Sequence, residues 1–446
     1  MSTSQVFAPT VGSGRINAMD TIRGVALLGI LLMNITSFGL SHAYFDPTVS
    51  GGAEGWDLRV WWISSMFFEG TMRGMFSMLF GAGIILFTSR ATETVHGVSV
   101  TDLYFRRITW LLLFGVLHAY VLLWDGEILY AYALVGMVAF SFRVWKPKHL
   151  MIGAVVLLSF LTLLSVKDYL VANYAFQHAT AAEQKQKAGQ TLTPIETKAI
   201  ETWQGILAEQ KPSAEKIKED IAGRHGSYFD IVWFKASINQ FMETFIMYRY
   251  FFFDVLAMML MGMAFLKNGI FKATRTNAYY LGMVGVGYAV GLTVNYFETA
   301  HMLREHFSVM SREVTSITYD LGRLFTTIGH IGVIMLFIKS GVFPLLQRAL
   351  AAVGQMAFTN YIMQTLICNT VFLGIGFGMY GKLMRHELYY VVFGVWLVQL
   401  VVSPLWLRYF HFGPLEWAWR ALTYWQRQPF RKGTEDTTVM KPVSVS

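Results

Sequence analysis

Long apolar runs separated by short polar segments dominate the chain. A helix needs roughly 20 residues to cross a bilayer core of about 30 Å, and ten runs approach that length. These predicted spans are Val25–Leu40, Phe76–Thr88, Ile108–Leu123, Ile128–Phe142, His149–Val166, Tyr250–Leu266, Ala278–Val294, Leu324–Ile338, Ala351–Leu373 and Tyr389–Leu407. The pattern predicts an all-α, polytopic membrane bundle of about ten transmembrane helices.

One polar segment is much longer than the others. Residues 167–247 predict a small helical insertion on the extracytoplasmic side, between an N-terminal five-span half (1–166) and a C-terminal five-span half (248–426). Within it, the run from Thr193 to Glu196 has the pattern of a capping box with proline at the first helical position. A second helix is expected from Ser213 to Gly223. Residues 427–446 form a cytoplasmic tail in this scheme.

Composition supports the same class of protein. Of 446 residues, 54% are hydrophobic and only 14% are charged, whereas about 25% are charged in an ordinary soluble domain. The net charge of +8 is explained by basic cytoplasmic loops, so nucleic-acid binding is not expected. No Walker A, His-Glu-x-x-His or Cys-x-x-Cys motif occurs, and we expect neither a bound metal nor a permanently bound cofactor.

The distribution of lysine and arginine predicts the orientation. The short connections at 90–107, 143–148, 267–275 and 339–348 are basic, and they alternate with connections at 41–56 and 124–127 that carry no Lys or Arg. Ten spans with both termini in the cytoplasm satisfy this pattern. The loop holding Lys382 and Arg385, on the predicted outside, is the exception.

Polar side chains at membrane depth are costly, so each is a candidate functional residue. Asp20 and Arg23 are three residues apart and therefore neighbours on one helical face. Asn34 is fourteen residues beyond Asp20 and returns to that face ~21 Å further along the helix. The first span is thus predicted to carry a polar stripe with an ion pair at its cytoplasmic end.

Further polar residues occur near several other spans. Glu69 and Arg73 have the i,i+4 spacing of an ion pair, and a helix break is expected near Gly70 because the segment exceeds one membrane crossing. In the second half the candidate binding residues are Asp254, Asp320, Arg323, Asn360 and Gln364. A structural ion pair, or polar contact between helices, is the alternative for each of them.

The predicted hairpin between spans three and four brings a histidine near carboxylates. His118 lies about a turn and a half below the outer end, and Asp125 and Glu127 occupy the turn. A histidine beside a carboxylate suits general base catalysis. His42, in the first outer loop, is a second candidate base. A hydrogen-bonding role without catalysis is the alternative for both histidines.

Several of these motifs resemble a known family. The stretch from Arg15 through Asp20-x-x-Arg23-Gly24 to Asn34, the run from Phe68 to Gly83, and the closing segments at 353–364 and 403–424 are similar to the YeiB family of bacterial inner-membrane proteins, which end in a domain of unknown function. The resemblance implies a multi-pass protein of the bacterial inner membrane. The opening motif is also distantly similar to transmembrane acyltransferases such as heparan-alpha-glucosaminide N-acetyltransferase. That enzyme type has asparagine at the position of Asn34 and uses a histidine in the following loop, where this chain has His42.

The leading functional hypothesis is a membrane acyltransferase. It would take an acyl group from a cytoplasmic carrier, with acyl-CoA as the co-substrate, and transfer it to a polar envelope acceptor at the outer face. Asp20 would help to orient the entrance, and Arg23 and Arg73 would hold carrier phosphate or a developing oxyanion. His118 or His42 would be the base, oriented by Asp125 or Glu69.

Two other functions are compatible with the same residues. A transporter or exporter of a small polar solute would use the intramembrane charges to line its path. A non-enzymatic sensor or assembly factor would use the helical insertion. The expected partners are the lipid bilayer and a small-molecule substrate, and a homodimer is a further possible assembly.

Overall fold

The computed structural model describes residues 17–89 and 99–432. That part contains no strand, only an isolated β-bridge between Phe410 and Arg431. Its α-helices are α1 (Asn17–Gly39), α2 (Gly55–Ile63), α3 (Thr71–Ser89), α4 (Val100–Tyr120), α5 (Leu129–Ala139), α6 (Pro147–Lys187), α7 (Pro194–Gln210), α8 (Ala214–Gly223), α9 (Tyr228–Phe241), α10 (Phe252–Lys267), α11 (Asn277–Arg304), α12 (Val309–Ser340), α13 (Pro344–Gln355), α14 (Ala357–Phe372), α15 (Leu388–Tyr409) and α16 (Pro414–Tyr424). Two π-helical segments, Ser64–Phe68 and Met242–Phe251, and a 3-10 turn, Phe140–Phe142, complete them.

The predicted all-α membrane bundle is confirmed. Within the described residues, six helical stretches are long and apolar enough to cross a membrane: Asn17–Gly39, Gly55–Ser89, Pro147–Lys187, Tyr228–Lys267, Val309–Ser340 and Leu388–Tyr409. A seventh, Leu129–Phe142, is apolar but shorter. Each of the ten predicted runs falls on helices, while the number of ten crossings and their direction stay predictions.

Two predicted spans are interrupted. The break expected near Gly70 is present, since α2 and its π-helical continuation end at Phe68, and α3 begins at Thr71. The run Ala351–Leu373 was expected to be one helix and is instead divided between α13 and α14 at Met356. The apolar pattern did not reveal this second break because Met356 itself is buried and apolar.

Close helix crossings at glycine hold the bundle together. A Cβ atom built on Gly24 or Gly354 would lie 2.0 or 1.9 Å from a backbone oxygen of the partner helix where α1 meets α13. Where α3 meets α10, the equivalent distances at Gly81 and Gly262 are 2.1 and 1.8 Å. Small residues permit such contacts between transmembrane helices, so no larger side chain fits at these four positions.

The insertion is continuous with the membrane helices rather than separate from them. α6 has 41 residues and is about 61 Å long at 1.5 Å per residue, so it runs from the bundle far into the insertion. α7 packs back along it. The capping box of Thr193 and Glu196 and the helix after Ser213 are both confirmed. The predicted end at 247 is not a structural boundary, because α9 continues through the Met242–Phe251 segment into α10.

Candidate functional site

A cavity of about 540 Å³ lies inside the bundle. Residues of α1, α3, α4, α5, α14 and α16, and the last two residues of α13, line it. It begins among polar side chains beside the first turns of α1 and ends at Tyr132 and Tyr361, near the hairpin between α4 and α5. Most of its wall between those ends is aliphatic or aromatic. We call the first end the entrance and the second the inner end.

Three arginines line the entrance. They are Arg23, Arg107 and Arg420. Arg23 contacts Asp20 at 3.1 Å, which confirms the predicted neighbourhood on one face of α1. The Arg107 guanidinium lies 3.5 Å from the ring centroid of Trp419, a close cation–π contact. Guanidinium groups bind phosphate by paired hydrogen bonds, so this end can hold a phosphorylated ligand.

The same wall contains a capped helix end. The carboxylate of Glu416 on α16 accepts hydrogen bonds from the backbone N–H groups of Phe358 and Thr359 at 2.7 and 3.1 Å. It also accepts one from the Thr359 hydroxyl at 2.6 Å. These bonds satisfy the free N–H groups where α14 begins after the break at Met356. α16 therefore fixes both the entrance and the start of α14.

Aromatic residues close the inner end. Tyr361 lines the cavity, and its hydroxyl accepts a hydrogen bond from Trp124 Nε1 at 3.2 Å. Trp124 is fully buried and stacks on Phe38 with ring centroids 3.7 Å apart. The cavity consequently ends at an aromatic wall on the side of the insertion.

A carboxylate, an imidazole and a hydroxyl lie behind this wall. His118 Nε2 lies 2.8 Å from the hydroxyl of Thr365, and Nδ1 lies 3.4 Å from Glu127 Oε1. Glu127 is fixed in turn by backbone N–H groups at the start of α5. His118 is completely buried and does not line the cavity, but its ring packs in a T-shaped contact with that of Tyr361, which does. An imidazole between a carboxylate and a hydroxyl is an arrangement that can transfer a proton.

Asp125 does not orient His118, contrary to the sequence expectation. Its carboxylate pairs with Arg224 at 3.0 Å and with Lys235 at 3.1 Å, both from the insertion. Burial alone would raise the pKa of Asp125, but Lys235 and Arg224 lower it to about 2. Glu127, the other carboxylate of the turn, takes the expected place beside the histidine. Asp125 instead attaches the insertion to the hairpin.

The other predicted residues of the first half occupy separate places. Asn34 is half-buried on the stripe of Asp20 and Arg23, and its side chain makes no hydrogen bond among the described residues. His42 is exposed, and Asp220 and Lys216 of α8 are its nearest charges. No hydrogen bond or ion pair in the described ranges links His42 to His118. The structure therefore brings His118, and not His42, to the inner end of the cavity.

A second polar cluster joins α3, α10 and α12. Asp254 contacts Arg323 at 2.6 Å and Arg73 at 3.3 Å, and Arg323 also contacts Asp320 at 2.7 Å. Arg323 is almost completely buried. None of these four residues lines the cavity. Arg73, which the acyltransferase hypothesis grouped with Arg23 as a group that holds carrier phosphate or an oxyanion, therefore does not line the cavity with it.

The expected pair of Glu69 and Arg73 is absent. Glu69 accepts hydrogen bonds from the hydroxyls of Tyr319 and Tyr44 at 3.0 and 3.4 Å. The helix break at Gly70 explains this, since i,i+4 neighbours face each other only within a continuous helix. Glu69 is thus not the orienting carboxylate of His118 either.

Asn360 and Gln364 connect helices. Asn360 donates to Ser403 at 3.0 Å, and Gln364 donates to Gln399 at 3.1 Å, which in turn donates to the backbone oxygen of Asn360 at 2.8 Å. All four side chains are buried. These contacts between α14 and α15 match the structural alternative named for both residues.

Some residues of the site were not among the candidate residues predicted from the sequence. They are Arg107, Arg420, Trp419, Tyr132, Tyr361 and Thr365. The sequence does contain a signal for Arg107 and Arg420 as candidate site residues, because each is a basic residue at the end of an apolar segment. We interpreted Arg107 as a loop charge that sets orientation, while Trp419 and Arg420 occur in the closing segment that resembles the family. Nothing in the local pattern distinguishes Thr365 from other helix-packing residues.

Comparisons with known proteins agree with the motifs. Residues 265–426 match a family described as "Protein of unknown function (DUF418)". An uncharacterized protein of Bacillus subtilis (strain 168), YxaH, is 32% identical over 446 residues, covering 96% of this chain and 98% of that protein. An uncharacterized protein of Escherichia coli (strain K12), YeiB, is 30% identical over 421 residues, covering 91% of this chain and 95% of that protein. No solved structure matches. The chain therefore belongs to the YeiB family.

Proposed function

We infer that the protein is an acyltransferase of the bacterial inner membrane, with both termini in the cytoplasm. Its donor is a phosphorylated acyl carrier, acyl-CoA in the simplest case, and its acceptor is a sugar or another polar envelope metabolite. The observation that supports this proposal is the cavity, which leads from three arginines to the wall in front of His118. The guanidinium groups suit carrier phosphates, and the apolar wall suits an acyl chain.

The transfer needs one proton to move. The acceptor hydroxyl or amine attacks the thioester carbonyl, its proton goes to a base, and the carrier leaves as a thiol after it has received a proton. Imidazole is the side chain suited to both transfers near neutral pH. In this proposal His118 has that role, and Glu127 fixes the ring through Nδ1 so that Nε2 faces the reaction.

Access to His118 is a specific requirement of the mechanism. His118 does not line the cavity, and the Tyr361 ring, which does, packs against its imidazole with ring centroids 5.0 Å apart. In this proposal the Tyr361 ring rotates when the carrier enters. Thr365, which binds Nε2 at 2.8 Å, must release that atom at the same step.

The test measures release of free CoA. Protein purified in detergent is incubated with acetyl-CoA and with longer acyl-CoA, and new thiol is followed with a thiol reagent. The single cysteine of the chain, Cys368, is buried and contributes little background. We expect Arg23→Gln with Arg420→Gln to raise KM, and His118→Asn to lower kcat. Arg348→Gln changes an exposed arginine of α13 outside the cavity and is the matched control.

Three outcomes would contradict the proposal. Folded protein could show neither binding of acyl-CoA nor release of CoA. The entrance variants could behave like Arg348→Gln, or His118→Asn could retain full kcat. Retention of fold is checked for every variant by its elution profile and thermal unfolding in the same detergent.

One observation favours a second candidate, a transporter of a small polar solute. The cluster of Arg73, Asp254, Arg323 and Asp320 lies on three helices of the bundle, outside the cavity, and acyl transfer does not use it. Ionisable residues within membrane helices often mark substrate or ion pathways. Solute flux into proteoliposomes that is lost in Asp320→Asn, the milder substitution in the cluster, while the variant keeps its elution profile and without any release of CoA, would favour this function.

A further inference from the structure

α6, at 41 residues, is about twice as long as one bilayer crossing requires. A hydrocarbon core of about 30 Å needs about 20 helical residues. Counted from Pro147, that length is used up near Val166, and Lys167 follows at the level of the lipid headgroups. The helix then continues to Lys187. About half of α6 therefore projects from the membrane on the side of the insertion.

An apolar groove lies between this projecting part and α7. Its volume is about 750 Å³, within the range of about 300–1,000 Å³ typical of sites for small ligands. Leu170, Val171 and Tyr174 of α6 line one wall, and Ile195 of α7 lines the other. These side chains are open to the surroundings, with 57% of Leu170 and 64% of Ile195 exposed. Contiguous apolar surface in this position marks an interaction site.

The groove is continuous with the lipid-facing surface of the same helix. Val155, Val156 and Phe160 are exposed along the membrane part of α6, and Leu163 is both exposed and part of the groove lining. From Leu163 to Ala175 the groove follows α6 for about 18 Å. An acyl chain that follows α6 into the groove therefore stays in contact with apolar side chains.

Two lysines give the groove a positive charge. Lys167 and Lys198 line it. Lys198 lies 3.6 Å from Glu201, while Lys167 is exposed and has no ion pair in the described part of the chain. A basic group at headgroup level attracts anionic lipids. The charge and the continuity with the bilayer favour a lipid over a second protein chain.

We propose that this groove binds an acyl chain of an anionic membrane lipid, with Lys167 and Lys198 contacting its phosphate. The chain lies between α6 and α7, and the headgroup stays near the outer end of the membrane part of α6. This binding site is separate from the internal cavity. It does not depend on the proposed acyl transfer.

The test uses lipid cross-linking in nanodiscs. The full-length protein is placed in phosphatidylglycerol that carries a diazirine near the end of one acyl chain, irradiated, and mapped by mass spectrometry. We expect adducts at 170–175 and 195–202 in addition to those on the lipid-facing residues 155–160. The double variant Leu170→Glu with Ile195→Glu should lose the adducts at 170–175 and 195–202 and keep those at 155–160. Phe229→Glu, at an exposed aromatic residue of α9 outside the groove, is the matched control.

A second arm tests the choice of an anionic lipid. Replacing phosphatidylglycerol by phosphatidylcholine, or Lys167 by Gln, should lower the groove adducts about fivefold, the effect of one lysine beside an anionic surface. Equal labelling from both lipids would overturn the anionic assignment. Adducts confined to residues before Val166, or cross-links between two protein chains through the groove, would overturn the lipid site itself.

Discussion

At the scale of single residues, Asp254 balances two arginines, the buried Arg323 and the half-buried Arg73. One carboxylate oxygen contacts Arg323 and the other contacts Arg73. Lipid supplies no water to solvate a guanidinium that loses its partner. The carboxylate is therefore the central stabilising group of this cluster, whatever solute or substrate the cluster serves.

Neutralising Asp254 should destabilise the fold strongly. We expect Asp254→Asn to lower the free energy of unfolding by about 3–5 kcal/mol, because one partner of a buried pair is removed and the other charges stay. Thermal unfolding in detergent measures the change. Asp320→Asn is the control and should cost less, since Asp320 is more exposed and contacts only Arg323. Equal effects of the two substitutions would contradict the central position of Asp254.

Thr365 gives a second prediction at this scale. Thr365→Val keeps the shape of the side chain but leaves His118 Nε2 buried without a partner, so it should cost about 1–3 kcal/mol. Thr365→Ser retains the hydroxyl and should cost less. The same unfolding assay applies. Wild-type stability in Thr365→Val would show that the 2.8 Å contact does not stabilise the fold.

At the scale of elements, the break between α2 and α3 determines which charges meet. Gly70 has a φ of +66°, and a Cβ atom there would lie 2.3 Å from Arg323 Cδ. Because of this turn, Glu69 contacts Tyr319, and Arg73 contacts Asp254. The position needs glycine both for its backbone conformation and for its space.

Gly70→Ala should therefore cost more than backbone strain alone. Strain at a positive φ is worth about 1–3 kcal/mol, and displacement of Arg323 adds to it. Gly55→Ala separates the two effects, because Gly55 has a φ of +54° with no atom within 4 Å of its Cβ position. We expect a clearly larger fall in unfolding temperature for Gly70→Ala. A fall no larger than that of Gly55→Ala would mean that the contact with Arg323 relaxes freely.

The same elements show what the sequence can and cannot predict. Periodicity and spacing located the helical runs, the stripe of Asp20 and Arg23, the break near Gly70 and the capping box after Thr193, since each depends on neighbouring residues. The break at Met356 could not be found in this way. It depends on Glu416, 60 residues further along the chain, which caps the new helix start.

The ion-pair partners of the charged residues also lie far away in the sequence. Arg73 was assigned to Glu69, four residues away, but its counter-charge is Asp254, and Asp125 binds Arg224 of the insertion. The spacing of residues in a single sequence predicts contacts within one helix but does not predict contacts between helices. The sequence therefore identified the candidate residues more reliably than it identified the residues with which they pair.

At the scale of the whole molecule, the insertion is fixed to the bundle by polar contacts at the end of α4. Tyr228, Lys235 and Asn239 donate to backbone carbonyls of Val121, Leu123 and Ala119 at 2.9, 2.6 and 2.7 Å. Those carbonyls would otherwise have no partner at the helix end. Asp125 adds its two ion pairs at the same place.

On the acid side of neutral pH, this attachment should weaken only in strong acid. The pKa of Asp125 is about 2 in the folded protein, below its ordinary value of about 3.9. Its contribution is therefore fully present above about pH 4 and is lost as the pH falls towards 2. We expect hydrogen exchange of residues 214–241 to stay constant from pH 7 to 5, after correction for intrinsic rates, and to rise below pH 4. Asp125→Asn should remove that acid step, and a rise already between pH 7 and 5 would contradict the assignment.

The aromatic wall at the inner end of the cavity also has an electrical consequence. When the cavity holds solvent or a polar carrier, the potential of the entrance side extends up to Tyr361. In the proposed orientation this carries the cytoplasmic potential to the aromatic ring that contacts His118. Moving one charge across the full voltage is worth about 2.3 kcal/mol per 100 mV. Proton transfer at His118 in the proposed mechanism would therefore respond to the membrane voltage.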